Sequence, residues 1–152
     1  MPKLLNCAPV LLVRDVHASA DYFRDKCGFS YDRFWGEEGG PDTFCMVWRD
    51  RLCIMLKQTV HVDKIQPNWK VEDKLWDAYF WVDDANALHA EPLAAGATID
   101  YGPCDQPYGC REFGIQDLDN HDIGFGKTLA HRAPGARTYP TPATARTSSS
   151  TP

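Results

Sequence analysis

Residues 109–126 read Gly-Cys-Arg-Glu-Phe-Gly-Ile-Gln-Asp-Leu-Asp-Asn-His-Asp-Ile-Gly-Phe-Gly. Residues 111–115 alternate as a strand. Asp117-Leu118-Asp119-Asn120 has the residue types that favour a turn, and residues 122–126 return as a second strand. Moving back 69 positions finds a second hairpin. Asp50 falls on Asp119, Ile54 on Ile123 and Leu56 on Phe125. There, residues 44–48 and 52–57 flank a tight Arg49-Asp50-Arg51 turn. The same shift places Val13 on Val82 and Asp15 on Asp84. A fixed internal period serving the first and last strands of a segment marks a repeated module.

Working outward, each module opens with a short strand, at residues 10–13 and 78–82. A helical pattern follows each: residues 17–27 with Ala20, Tyr22, Phe23 and Cys27 on one face, and residues 85–95 with Leu88 and Leu93. Gly28 and Gly96 close these helices, and Pro92 predicts a kink or restart in the second. Residues 29–35 and 97–101 read as strands. Residues 36–42 and 102–109 read as loops. The fold class is therefore α+β, with two βαβββ modules in tandem. Each is a four-stranded mixed sheet with a helix on one face, and the other faces form curved cavities. The expected bounds are 1–57 for the first module, 58–76 for a connecting loop and 77–127 for the second module. A Pro/Ser/Thr-rich tail covers 128–152, read as passive, with Tyr139-Pro140 as the candidate anchor if it is held down.

The chain has 152 residues, 43% hydrophobic and 24% charged, enough to bury a core without metal or disulfide. Arg132, Arg137 and Arg146 give the tail a formal +3, leaving −8 of the total −5 on residues 1–127. That balance argues against a nucleic-acid partner, and no apolar run approaches a membrane span. Six cysteines at 7, 27, 45, 53, 104 and 110 form no CxxC pair. They read as free, mostly buried thiols of a cytoplasmic protein. Arg111 beside Cys110 is the one arrangement that could activate a thiol.

Pro9-Val10-Leu11-Leu12-Val13-Arg14-Asp15-Val16-His17-Ala18-Ser19, Tyr22-Phe23, Cys27-Gly28-Phe29, Tyr79-Phe80-Trp81-Val82-Asp83-Asp84 and the 109–126 run together resemble the glyoxalase/bleomycin-resistance/extradiol-dioxygenase superfamily, the vicinal oxygen chelate proteins. In the 109–126 run, Leu118 and Asn120 replace the family's usual Pro and Gly. Enzymes of that superfamily hold a divalent metal with His, Gln or Glu from four strands. By the resemblance those positions fall on Ala8, Met55, Asp77 and Gly124, of which only Asp77 suits such a metal. Their neighbours Pro9, Ile54, Leu56, Ala78, Ile123 and Phe125 add no donor. The resemblance thus implies no metal, no cofactor and no catalytic residue, as in the metal-free bleomycin-resistance proteins. Those are homodimers that sequester a cationic antibiotic.

Eighteen residues are aromatic, five of them tryptophan. Strand alternation puts Asp77, Tyr79 and Trp81 on one face, opposite Ala78, Phe80 and Val82. The expected ligand-binding residues are Trp35, Trp48, Asp77, Tyr79, Trp81 and Glu112. The rings would stack on a planar or cationic small molecule and the acids would pair with its cations. Two rivals stay open: a metal-dependent lyase or dioxygenase with an altered ligand set, and a module whose aromatic surface binds protein.

Overall fold

The computed structural model describes residues 1–130. Most of the expected tail, with Arg132, Arg137, Tyr139-Pro140 and Arg146, lies outside the described residues. The chain divides into two compact units. One is Met1–Ile65 with Asp117–Asp119, and the other is Gln66–Gln116 with the chain from Asn120 onward.

In the first unit, β1 (Val10–Val13) leads into α1 (Val16–Cys27), followed by β2 (Phe34–Gly36), β3 (Asp42–Arg49) and β4 (Leu52–Gln58). The sheet order is β1-β4-β3-β2, with β1 parallel to β4 and the other pairs antiparallel. Asp15 caps α1, its carboxylate accepting from the Ala18 amide at 3.0 Å. Gly28 ends the helix at φ 71°, where a side chain would be strained. Val16, Ala20, Phe23 and Cys27 form the buried stripe of α1. It faces Leu11, Val13, Cys45, Val47, Ile54 and Leu56, all buried on one side of the sheet. Arg14 binds the buried Asp119 at 2.9 Å within this unit.

The expected strand over 29–35 is interrupted. Ser30 exchanges backbone hydrogen bonds with Trp48 at 2.8 and 2.7 Å, but regular pairing resumes only at Phe34. Between them Tyr31 turns aside to α1, donating to Asp21 at 2.6 Å and accepting from Arg24 at 2.8 Å.

In the second unit, β5 (Ala78–Trp81) leads into α2 (Ala85–Ala94), followed by β6 (Thr98–Gln106), β7 (Cys110–Gln116) and β8 (Asp122–Thr128), in the order β5-β8-β7-β6. Register makes the repeat literal. Val10 pairs with Met55, and the residues 69 later, Tyr79 and Gly124, pair with each other. Phe80, Phe125 and Phe113 stack in series beneath α2 at 5.6 and 5.1 Å between centroids.

Three expectations for this unit are corrected. Leu93 does not face the sheet. It is 56% exposed, whereas Ala85 and Pro92, seven apart, are the buried positions of α2. Pro92 does not restart the helix, because it lies in the last turn and costs only the hydrogen bond to Leu88. Residues 102–106 are strand rather than loop. β6 is an edge strand, so Pro103 takes nothing from a second neighbour. Register shifts between Ile99 and Tyr101 and between Tyr101 and Cys104 absorb the irregularity.

The connection after β4 holds two single 3-10 turns, Val62–Lys64 and Asn68–Lys70. Within the second unit the Trp69 indole donates to the Asn120 carbonyl at 2.7 Å, and the Asn68 side chain to the Trp76 carbonyl at 3.0 Å. The assignment of Leu93 has a direct check by chemical denaturation. Leu93→Ala is expected to change stability by less than about 0.5 kcal/mol. Ile123→Ala, at a fully buried site, should cost about 2–5 kcal/mol.

Candidate functional site

Each sheet has one face covered by its helix and one that α1 or α2 leaves open. On the open face of the first unit, register defines three cross-strand rows. Leu12, Lys57, Phe44 and Trp35 form the first, spanning all four strands. Val10, Met55 and Met46 form the second, and Cys53 and Trp48 the third. The rows are apolar except for Lys57, whose ammonium donates to the Thr43 hydroxyl at 2.9 Å.

Trp35 divides this face into two hollows. One, of about 430 Å³, is lined by Trp35, Gly36, Glu37, Pro41, Thr43, Phe44 and Lys57. The other, of about 440 Å³, is lined by Ser30, Tyr31, Asp32, Arg33, Trp35, Met46 and Trp48. Phe44 meets Trp35 edge-on at 5.7 Å. The Arg33 guanidinium lies over the Trp35 ring, 4.7 Å from its centroid. A tryptophan face in this setting accepts a planar or cationic group.

The second unit fills its open face with its own side chains. Tyr79, Gly124, Gly114 and Tyr101 form one row, and Trp81, Gly126, Glu112 and Cys104 the next. The glycines are needed for close approach. A Cβ on Gly114 would overlap the Tyr101 ring, one on Gly126 the Tyr79 hydroxyl, and one on Gly124 would come within 2.6 Å of Tyr79 and 2.8 Å of Trp76. Over this floor the rings converge on Glu112, which is 0% exposed. Its Oε2 accepts from Tyr79 at 2.7 Å, and its Oε1 from Tyr108 at 2.7 Å and Tyr101 at 3.2 Å. The Trp76 indole donates in turn to the Tyr101 hydroxyl at 3.1 Å. Burial, with Glu112 adding to it, pushes all three phenols well above the ordinary phenol range.

The six expected residues therefore separate. Trp35 and Trp48 lie on the open face of the first unit and line the same hollow. Trp81 is 61% exposed and meets Tyr79 edge-on at 5.2 Å. Tyr79 is committed to Glu112, and Glu112 is closed off by phenols rather than presented to a ligand cation. Asp77 likewise binds backbone, its oxygens accepting from the Asn68 amide at 3.0 Å and the Asp122 amide at 2.9 Å. Sequence reading missed Tyr101, Tyr108, Trp76, Arg33 and Lys57. The aromatic density around a lone Glu was the signal available for the first three.

Cys110 is not activated. Arg111 is directed to Asp105 at 2.8 Å and Asn86 at 2.9 Å, and burial pushes the Cys110 thiol up. Burial raises Cys27 to about 12 and Cys45 to about 11. At the family's metal positions, Ala8 and Gly124 carry no donor, Met55 offers a thioether and Asp77 is held by amides. Among the described residues no three His, Cys, Asp or Glu side chains gather as metal ligands.

No protein-family profile and no curated protein matches the chain. Solved structures do. A bleomycin-binding protein from Streptomyces verticillus, in complex with copper(II)-bleomycin, is 29% identical over 85% of this chain and 98% of its own, with a TM-score of 0.58. A glyoxalase-related enzyme from Clostridium phytofermentans is 17% identical over 84% and 98%, with a TM-score of 0.67. An antibiotic-binding protein from a Streptomyces species is 19% identical over 84% and 98%, with a TM-score of 0.63. The chain has the fold of the glyoxalase/bleomycin-resistance/dioxygenase structures, the vicinal oxygen chelate fold, which its two modules reproduce.

Two measurements test the closed face of the second unit. Gly126→Ala displaces the Tyr79 hydroxyl and is expected to cost about 1–3 kcal/mol in urea unfolding. Gly102→Ala, where a Cβ meets nothing within 4 Å, should be nearly silent. Because the folded phenols keep protons that the unfolded chain releases above about pH 10, their contribution is complete below that pH. It is lost as pH rises through the raised folded values. Near-ultraviolet absorbance should show Tyr79, Tyr101 and Tyr108 ionising together with loss of circular dichroism, not before it.

Proposed function

We propose that the protein is a small-molecule binding protein that sequesters a planar compound without a metal of its own. The single observation that carries this reading is Trp35, a ring set between two open hollows on an apolar sheet face. Trp35 and Trp48 are the stacking residues, with Trp81 as a further exposed ring. Tyr79, Asp77 and Glu112 support the second unit and do not meet ligand cations, because their polar atoms are engaged. The fold is compatible with this role, since solved proteins that share it include bleomycin-binding and antibiotic-binding ones. The fold alone does not carry it, since a glyoxalase-related enzyme shares it too.

We read the functional form as a homodimer in the cytoplasm. The thiols are free, and no helix among the described residues is long and apolar enough to cross a membrane. Val10 and Leu12 leave apolar surface at the edge of the open face, 59% and 43% exposed, for a second copy to cover. Analytical ultracentrifugation should show a dimer at micromolar concentration, and a persistent monomer would remove that part of the reading.

The binding test uses chelator-stripped protein and the neutral planar probe N-phenyl-naphthylamine, with copper(II)-bleomycin in parallel. Saturable binding of the planar probe near one per chain is expected, unchanged by chelator. Trp35→Ala should weaken it by about 1–3 kcal/mol. Binding that depended on added metal, or that ignored Trp35→Ala, would overturn the reading. The first result would favour the metal-dependent enzyme instead.

A further inference from the structure

The charges around Trp35 say more about the ligand than its ring does. In the three cross-strand rows of the open face, the one charged side chain is Lys57, set between Leu12 and Phe44 on neighbouring strands. Its ammonium meets only the neutral Thr43 hydroxyl, at 2.9 Å. Across Trp35, the Arg33 guanidinium rests on the indole face at 4.7 Å. Among the described residues neither Lys57 nor Arg33 is ion-paired. Yet the chain around them carries an excess of acid. Asp32 and Glu37 line the same two hollows and, like the two cations, are exposed, and neither is ion-paired with Lys57 or Arg33.

The row that holds Lys57 and Phe44 corresponds, 69 and 68 positions on, to the row that holds Gly126 and Glu112. There the side chain is an acid, Glu112, buried and enclosed by three phenol donors. Among the described residues the first face thus offers, in its three named rows, an exposed charged group without an ion-pair partner, Lys57, and it is positive. A cationic ligand stacking on Trp35 would have to compete with Arg33 for the same ring and would be repelled by Lys57.

Resting on the reading of this groove as the ligand site, we propose that its ligand is a planar aromatic compound bearing an anionic group, such as a carboxylate or sulfonate, drawn by the two cations that flank Trp35, Lys57 and Arg33, while the ring system stacks beside Trp35. The guanidinium gives a forked donor set for an oxyanion and the ammonium a point charge. The ion pair would form next to apolar walls, where screening is weaker than in open solvent.

The experiment compares anilinonaphthalene sulfonate with N-phenyl-naphthylamine, its isostere without the sulfonate, on the full chain at moderate salt. The sulfonate should bind at least about tenfold more tightly. Lys57→Gln and Arg33→Gln should each remove most of that ratio between the two probes, whatever each does to the neutral probe's own affinity. Trp35→Ala should weaken both probes. Equal affinity for the two probes, or a preference untouched by both charge variants, overturns the anion inference while leaving the planar-ligand reading in place. Loss of neither probe in Trp35→Ala overturns the groove itself. Unchanged circular dichroism of the two surface variants separates a lost contact from a lost fold.

Discussion

A carboxyl group taken wholly out of water must be met by hydrogen-bond donors, and among the described residues Glu112 meets three phenols and no cation. Much of the second unit follows from that requirement. Tyr79 reaches Glu112 only by lying flat over β8, which demands glycine at 124 and 126. Tyr101 reaches it from the edge strand by lying over Gly114, and Tyr108 from the turn between β6 and β7. Trp76 completes the layer by donating to Tyr101. A sheet face that could have been a hollow is instead packed with its own rings. The network is satisfied at each Glu112 oxygen, and in that state it rigidifies a structure rather than weakening it.

The two units are therefore the same fold put to different uses. Where the second has Gly124 and Gly114 side by side, the first has Met55 and Met46. Large flexible side chains make a surface, and glycines make a floor to be covered. Covering needs rings on the flanking strands, and β5 and β6 supply Tyr79 and Tyr101 in register with those glycines. The first unit has no such pair. Val10 flanks Met55 on β1, and on the far edge only Phe34–Gly36 forms the β2 strand, leaving Trp35 standing at its rim. The hollow face and the filled face are two outcomes of one register.

Much of this architecture was legible because it is local or periodic. Asp15 and Asp84 announce helix starts, Gly28 and Gly96 helix ends, and the 69-residue period survives as strand register. What was not legible depended on contacts distant in sequence or on edge position. Pro103 signals a loop unless one knows that β6 is an edge strand. Tyr31 breaks β2 because α1 lies within reach of its hydroxyl. Leu93 looks like a core residue until the buried stripe is seen to run through Ala85 and Pro92. For the candidate site, the tryptophans could be named from composition. The acids could not be assigned, because Glu112 reads the same whether its partner is a ligand or three tyrosines.

That ambiguity has a physical resolution. An acid on a cavity face pairs directly with a ligand cation only while its oxygens are accessible, and both Asp77 and Glu112 have their oxygens engaged by donors within the protein. Net acidity of the chain does not change this, because long-range attraction is screened within roughly 8–10 Å at ordinary ionic strength. Selection among ligands then falls to whichever charges remain unpaired at short range. On the open face of the first unit those in contact with the ring and the sheet floor are Arg33 and Lys57. A chain can carry an overall negative charge and still build a site for an anion, provided its own acids are paired elsewhere or stand clear of the floor.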